Sequence, residues 1–96
     1  MWFVYILQCA DGSFYVGETN DVLSRLARHN NGTAATHTAM RRPVHLVYIE
    51  EYSNRDDCLK RERQLKRWTR AKKEALVAGD AATLKALSGS ASSAPL

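Results

Sequence analysis

A chain of 96 residues with 45% hydrophobic and 25% charged content is expected to form one domain of ordinary soluble composition, with a modest core that needs no disulfide or structural metal. Its longest N-terminal apolar run, residues 2–7, is far too short for a bilayer span and follows no basic leader, so neither membrane insertion nor secretion is expected. Cys9 and Cys58 lack CxxC or histidine spacing, which argues against zinc and makes a reducing cytoplasm the expected location.

The first element is a strand over residues 2–8, apolar on both faces as a covered central strand should be. A turn at Asp11-Gly12-Ser13 leads to a second strand, residues 14–17, so the two form a β-hairpin. Tyr5 and Tyr15 stand on facing strands where both hydroxyls can aim at one spot, although tyrosine is also simply a good strand former. Gly17 follows directly, and a strand glycine often marks a close approach to the backbone. Thr19 or Asn20 can cap a helix from Asp21, with Val22, Leu23, Leu26, Ala27 and Asn30 on one side and a stop at Asn31-Gly32. Residues 33–43 read as a loop ending in Arg41-Arg42-Pro43, and residues 44–52 as the third strand. Ser53 or Asn54 caps a long charged helix to about Trp68. Thr69 starts another, closing near Ala78 with Gly79 after it, and residues 80–87 can form one more short helix. The domain spans residues 1–87, and residues 88–96 form a disordered tail without apolar period. The expected fold is α+β: three antiparallel strands in the order 2-1-3, flanked by helices in ββαβαα sequence.

The formal net charge is +4, yet between Arg55 and Lys73 nine basic residues face only three acidic ones, a larger excess than that of the whole chain. Such a surface attracts phosphate at low salt, and it is equally what a solvated helix face looks like. On the long helix, Cys58, Leu59, Leu65 and Trp68 form the apolar stripe, and Glu62 falls inside it. A carboxylate there is costly to bury without a cation, so either a buried arginine or a metal ion must meet it. On the first helix, Arg25 and His29 are i, i+4 neighbours on one flank of the apolar side, while Arg28 projects to solvent. Arginine can clamp a phosphate with two bonds, and histidine can donate to phosphate or shuttle a proton near neutral pH. An ordinary boundary arginine and a half-buried histidine would fit the same spacing.

Together these positions resemble the GIY-YIG nuclease family, specifically its short stand-alone bacterial members. The first signature element is Val4-Tyr5-Ile6, the second Tyr15-Val16-Gly17. Arg25 and His29 match the family's catalytic Arg and the residue one turn later, and Glu62 in Glu62-Arg63-Gln64-Leu65-Lys66 matches its metal-binding Glu. The resemblance covers residues 2–78, including Arg42-Pro43 and Lys66-Arg67-Trp68. Departures are Val4 in place of the first Gly, Val16 in place of Ile, and His37 where the stand-alone branch has a loop Tyr.

The resemblance implies hydrolysis of a DNA phosphodiester with one divalent ion, Mg²⁺ or Mn²⁺, for which Glu62 is the single carboxylate ligand. It assigns catalytic roles to Tyr5, Tyr15, Arg25, His29 and Glu62. Tyr5 is the group that deprotonates the attacking water, its pKa lowered by the surrounding cations. Gly17, His37, Arg41, Arg42, Lys66, Arg67 and Lys73 are the implied nucleic-acid contacts. These would position phosphates without reading bases, so branched, nicked or single-stranded DNA is expected over a defined sequence, with repair or recombination as the setting. The alternative is a non-catalytic nucleic-acid-binding module on the same fold.

Overall fold

The computed structural model describes residues 1–88; the tail expected at 88–96 lies, Ser88 apart, outside them. In chain order the elements are β1 (Trp2–Gln8), β2 (Phe14–Thr19), α1 (Val22–Asn30), α2 (Thr36–Ala39), β3 (His45–Tyr52), α3 (Arg55–Arg67), α4 (Arg70–Ala78) and α5 (Ala81–Leu87). They fall into two compact units, Met1–Lys66 and one that begins at Arg67.

In the first unit β1 is the central strand of an antiparallel sheet ordered β2-β1-β3, as its two apolar faces required. Val4, Ile6 and Leu7 lie fully inside, and burying each such side chain stabilises the sheet by about 1.5–3 kcal/mol. Register decides what each face carries. Tyr5 pairs with Gly17 and Leu7 with Tyr15, which places both tyrosines on one face. There Tyr5 and Leu7 pack with Cys9, Val44, Tyr15 and the α1 residue Leu26. On the opposite face Val4 stands between Glu18 of β2 and Glu50 of β3, both of which meet α3 side chains.

Three local expectations change. The cap of α1 is Asp21 itself, whose carboxylate accepts the Ser24 N–H at 3.1 Å, so the helix starts one residue later. Its inward stripe is Val22, Arg25, Leu26 and His29 rather than the side drawn through Leu23 and Ala27, which are exposed. Asn30 is also exposed overall, but its amide binds both the N–H and the C=O of Val44, at 2.9 and 3.1 Å, and so ties α1 to the entry of β3. The segment 33–43 is not all loop: it contains the single-turn helix α2, which has no apolar period to announce it.

The second unit follows its sequence signals closely. Thr69 caps α4 by accepting the Lys72 N–H at 3.2 Å, and Gly79 ends the helix at φ +70°, a left-handed conformation that glycine adopts without steric cost. Asp80 caps α5 through the Thr83 N–H at 3.0 Å. Ala75 and Leu84 are the buried residues of the two helices, and the Lys72 ammonium lies 4.3 Å from the Trp68 ring centre.

Candidate active site

The hairpin and α1 build the site. A Cβ on Gly17 would clash with the Tyr5 hydroxyl and lie 2.5 Å from Cζ of the same ring. The close approach anticipated at Gly17 is thus made by the chain's own phenol, which occupies the space a side chain would take. Gly17 is itself buried, so its place in this structure is to admit Tyr5 rather than to touch a nucleic acid.

Tyr5 is 2% exposed, and its hydroxyl lies 2.8 Å from Nε2 of His29. His29, 1% exposed, has its other ring nitrogen 2.7 Å from Thr38 Oγ1 on α2. Both ring nitrogens of His29 are thus engaged beneath the surface, which leaves neither open to a phosphate. Burial, reinforced by the charges of Arg25 and Arg28, holds its pKa below the ordinary 6.5, so the ring is neutral at pH 7. Tyr15 completes an aromatic cluster: its ring centre is 5.0 Å from that of His29, 6.5 Å from Tyr5 and 6.1 Å from His37.

Arg25 acts on the protonation of Tyr5 in the expected direction, but burial outweighs it. Burial and then Tyr15 push its pKa up to about 12, and the charge and hydrogen bond of Arg25 offset only part of that rise. Tyr5 is a neutral phenol in this structure and not a standing phenolate base. Arg25 is half-buried on α1, its guanidinium reaching the main-chain carbonyl of Glu18 at 3.5 Å, beside Gly17. It lies on the flank of the inward stripe, as the sequence spacing indicates, while the buried His29 stands nearer its middle.

Glu62 acts on Tyr5 from α3, where its negative charge is one of the influences that raise the tyrosine's pKa. Its side chain is 14% exposed and pairs with the exposed Lys66 at 3.4 Å. Two arginines of α3 go elsewhere. Arg55 reaches Glu18 at 3.4 Å, and Arg61 binds Glu50 through Nε at 2.9 Å and a terminal nitrogen at 3.0 Å. Both acids are half-buried, and Glu50 also accepts the hydroxyls of Tyr48 and Tyr52. Sequence reasoning passed over it, although Tyr48-x-Glu50-x-Tyr52 places three polar tips on one strand face.

The donor set near Glu62 is compatible with one hard cation. Among the described residues no three His, Cys, Asp or Glu side chains gather as a metal cage, so an ion at Glu62 would rely on one carboxylate plus water and phosphate oxygens. Mg²⁺ and Mn²⁺ accept such a set, and zinc does not. An ion-pair partner that is a mobile surface lysine yields to a divalent cation more readily than a fixed arginine would.

The anticipated nucleic-acid contacts separate. His37 is half-buried and meets Ser13 Oγ at 3.0 Å. Arg41 is engaged by Asp11 at 2.9 Å and by the His37 carbonyl at 3.0 Å, which removes much of its free charge. Arg42 is exposed and donates to the Ala39 carbonyl at 2.9 Å. Lys66 is exposed beside Glu62, and Arg67 and Lys73 belong to the second unit. Thr38 was missed altogether, since a threonine in a segment without periodicity carries no signal.

Residues 1–75 match the GIY-YIG catalytic domain. UPF0213 proteins of Staphylococcus aureus strains Mu50 and N315 are each 51% identical over 75 residues, spanning 78% of this chain and 92% of the relative. The solution structure of the UPF0213 protein BH0048 from Bacillus halodurans is 38% identical, with a TM-score of 0.55 and coverage of 83% of this chain and 86% of that one. The solution structure of protein EF2693 from E. faecalis is 37% identical, with a TM-score of 0.55 and coverage of 80% and 82%. No helix among the described residues is long and apolar enough to cross a membrane. A domain match over residues 1–75, set beside relatives 51% identical over the same length of chain, means that this chain belongs to the GIY-YIG family.

Proposed function

We propose that this protein is a divalent-metal-dependent endonuclease that hydrolyses DNA phosphodiesters, selecting nicked, branched or single-stranded structure over sequence. One observation carries the reading: a buried phenol lies across Gly17, has its hydroxyl 2.8 Å from an imidazole nitrogen, and feels both Arg25 and Glu62. A structural strand tyrosine needs none of those three neighbours.

An ion held by Glu62 would supply Lewis-acid stabilisation of the phosphate charge. Water bound at the Tyr5 hydroxyl loses a proton to the phenolic oxygen as the phenolic proton passes to His29 Nε2. The phenol stays neutral throughout, so its raised pKa does not obstruct the step. Arg25 stabilises negative charge gathering on the phosphorus oxygens, which a guanidinium does best at a water-poor site. Exposed cations such as Arg42 and Lys66 bind flanking phosphates without base contacts, so binding is weak and falls steeply with salt. Repair or recombination is the setting in which such substrates arise.

The test compares wild type with Glu62→Ala and Arg25→Ala on labelled branched and single-stranded DNA, with and without Mn²⁺. Loss of cleavage by roughly 100-fold or more with retained binding supports the assignment. Cleavage unchanged in Glu62→Ala would refute the metal site. Equal binding with no cleavage by any form would make the protein a binding module.

A further inference from the structure

We infer that Thr38 is a positioning residue: its hydroxyl fixes the tautomer of His29 so that the nitrogen facing Tyr5 is the one without a proton. The inference rests on the nuclease reading for its consequence but not for its geometry.

Thr38 sits on the four-residue helix α2, and its side chain is completely buried, which is unusual for a threonine. A hydroxyl has one proton to give. Thr38 Oγ1 lies 3.1 Å from the Ala35 carbonyl, an oxygen that can only accept, so the hydroxyl proton goes there. The same oxygen is 2.7 Å from His29 Nδ1 and must therefore receive the Nδ1–H. A neutral imidazole protonated on Nδ1 is bare at Nε2, and Nε2 is the atom 2.8 Å from the Tyr5 hydroxyl. The chain of donors is thereby directed one way: Tyr5 O–H to His29 Nε2, His29 Nδ1–H to Thr38 Oγ1, Thr38 O–H to the Ala35 carbonyl. With the ring in the other tautomer, Nε2–H would point at the phenol, and Tyr5 would have nowhere to send a proton.

The placement of α2 is itself pinned to the hairpin turn. Ser13 Oγ gives its proton to Asp11 at 2.6 Å and so accepts from His37 Nε2 at 3.0 Å. Arg41, just beyond α2, binds Asp11 at 2.9 Å, and its carbonyl accepts the Ala10 N–H at 2.9 Å. Thr38 is thus held between two anchored neighbours. A buried hydroxyl that merely filled space would not need its acceptor side turned to a ring nitrogen.

The experiment uses protein labelled with ¹⁵N in histidine and reads the His29 ring nitrogens by long-range ¹H–¹⁵N correlation above pH 7. Wild type should carry its proton on Nδ1, and Thr38→Ser should keep it there. Thr38→Val, equal in shape but unable to accept, should move His29 to the Nε2–H form or to a mixture. Cleavage in Mn²⁺ should fall about tenfold or more in Thr38→Val and recover in Thr38→Ser, with DNA binding unchanged in both. A proton on Nε2 in wild type overturns the inference without recourse to any variant, as does a folded Thr38→Val that keeps the wild-type spectrum. If no form cleaves DNA while the tautomer shifts as stated, the positioning role of Thr38 stands and the nuclease reading is what fails.

Discussion

Replacing Gly17 by alanine tests the central geometry most directly. The added methyl would clash with the Tyr5 hydroxyl and lie 2.5 Å from Cζ, where carbon atoms need about 3.5 Å or more. The end of a surface side chain could swing aside cheaply. Tyr5 cannot, because it is 2% exposed, bonded to His29 and packed against Leu7, Cys9 and Val44. Overpacking of this kind costs about 1–3 kcal/mol. Breaking the buried Tyr5–His29 bond adds about 1–3 kcal/mol by leaving polar groups unpaired. A total near 3 kcal/mol corresponds to a fall in Tm of roughly 12–24 °C for a domain this size. Urea denaturation of wild type, Gly17→Ala, Tyr5→Leu and the double variant measures the coupling. With Tyr5→Leu the colliding atoms are gone, so the alanine should then cost under about 1 kcal/mol, and its lower backbone entropy can even make it favourable. Gly17→Ala within about 0.5 kcal/mol of wild type, or equally costly in both backgrounds, would refute the reasoning.

Other expectations follow from the same coordinates. Burial opposes the charge on Glu50, but hydrogen bonds from Arg61, Tyr48 and Tyr52 outweigh it and hold the carboxyl below its ordinary 4.5. The stability this contributes is fully present above pH 4.5 and is lost as pH falls through the depressed folded value. Glu50→Gln should cost about 2–4 kcal/mol in urea by leaving Arg61 half-compensated between strand and helix, and should flatten that acid limb. His29 is depressed by burial and by Arg25 and Arg28, so its contribution has the same sign at higher pH. Stability is complete above about 6.5 and declines as pH falls toward the folded value, because only the unfolded chain takes up the proton in that window. Denaturation midpoints from pH 8 to 5 should show the decline in wild type and not in His29→Gln, and the cleavage rate should hold level through pH 6.5 before dropping. In the second unit, Thr69→Ala removes the hydroxyl that caps α4 and should cost about 1 kcal/mol, a loss Thr69→Ser restores when followed by circular dichroism on heating.

The Glu50–Arg61 pair and the Glu62–Lys66 pair illustrate how one helix divides its work. Successive positions 61 and 62 point to different neighbours: the arginine closes a half-buried polar network on β3, while the acid pairs with an exposed lysine. Among the described residues Glu62 has this lysine as its ion-pair partner and not the buried arginine that the sequence allowed. This leaves Glu62 available for the metal role proposed above.

By itself the sequence determined the sheet, its strand order and most helix ends, because these rest on local physics. A strand apolar on both faces has to lie in the middle, Thr69 and Gly79 bound α4 through the chain's own N–H and C=O groups, and the signature tyrosines sit at fixed hairpin positions. Tertiary structure alone decided which groups share protons. Only the paired register of β1 and β2 lays Tyr5 over Gly17, only the rotation of α1 turns His29 inward to meet it, and only the docking of an aperiodic turn brings Thr38 behind that ring. Hydrogen bonds between residues nine and twenty-four positions apart leave no period in a sequence, since they are set by where whole elements pack and not by what each residue prefers.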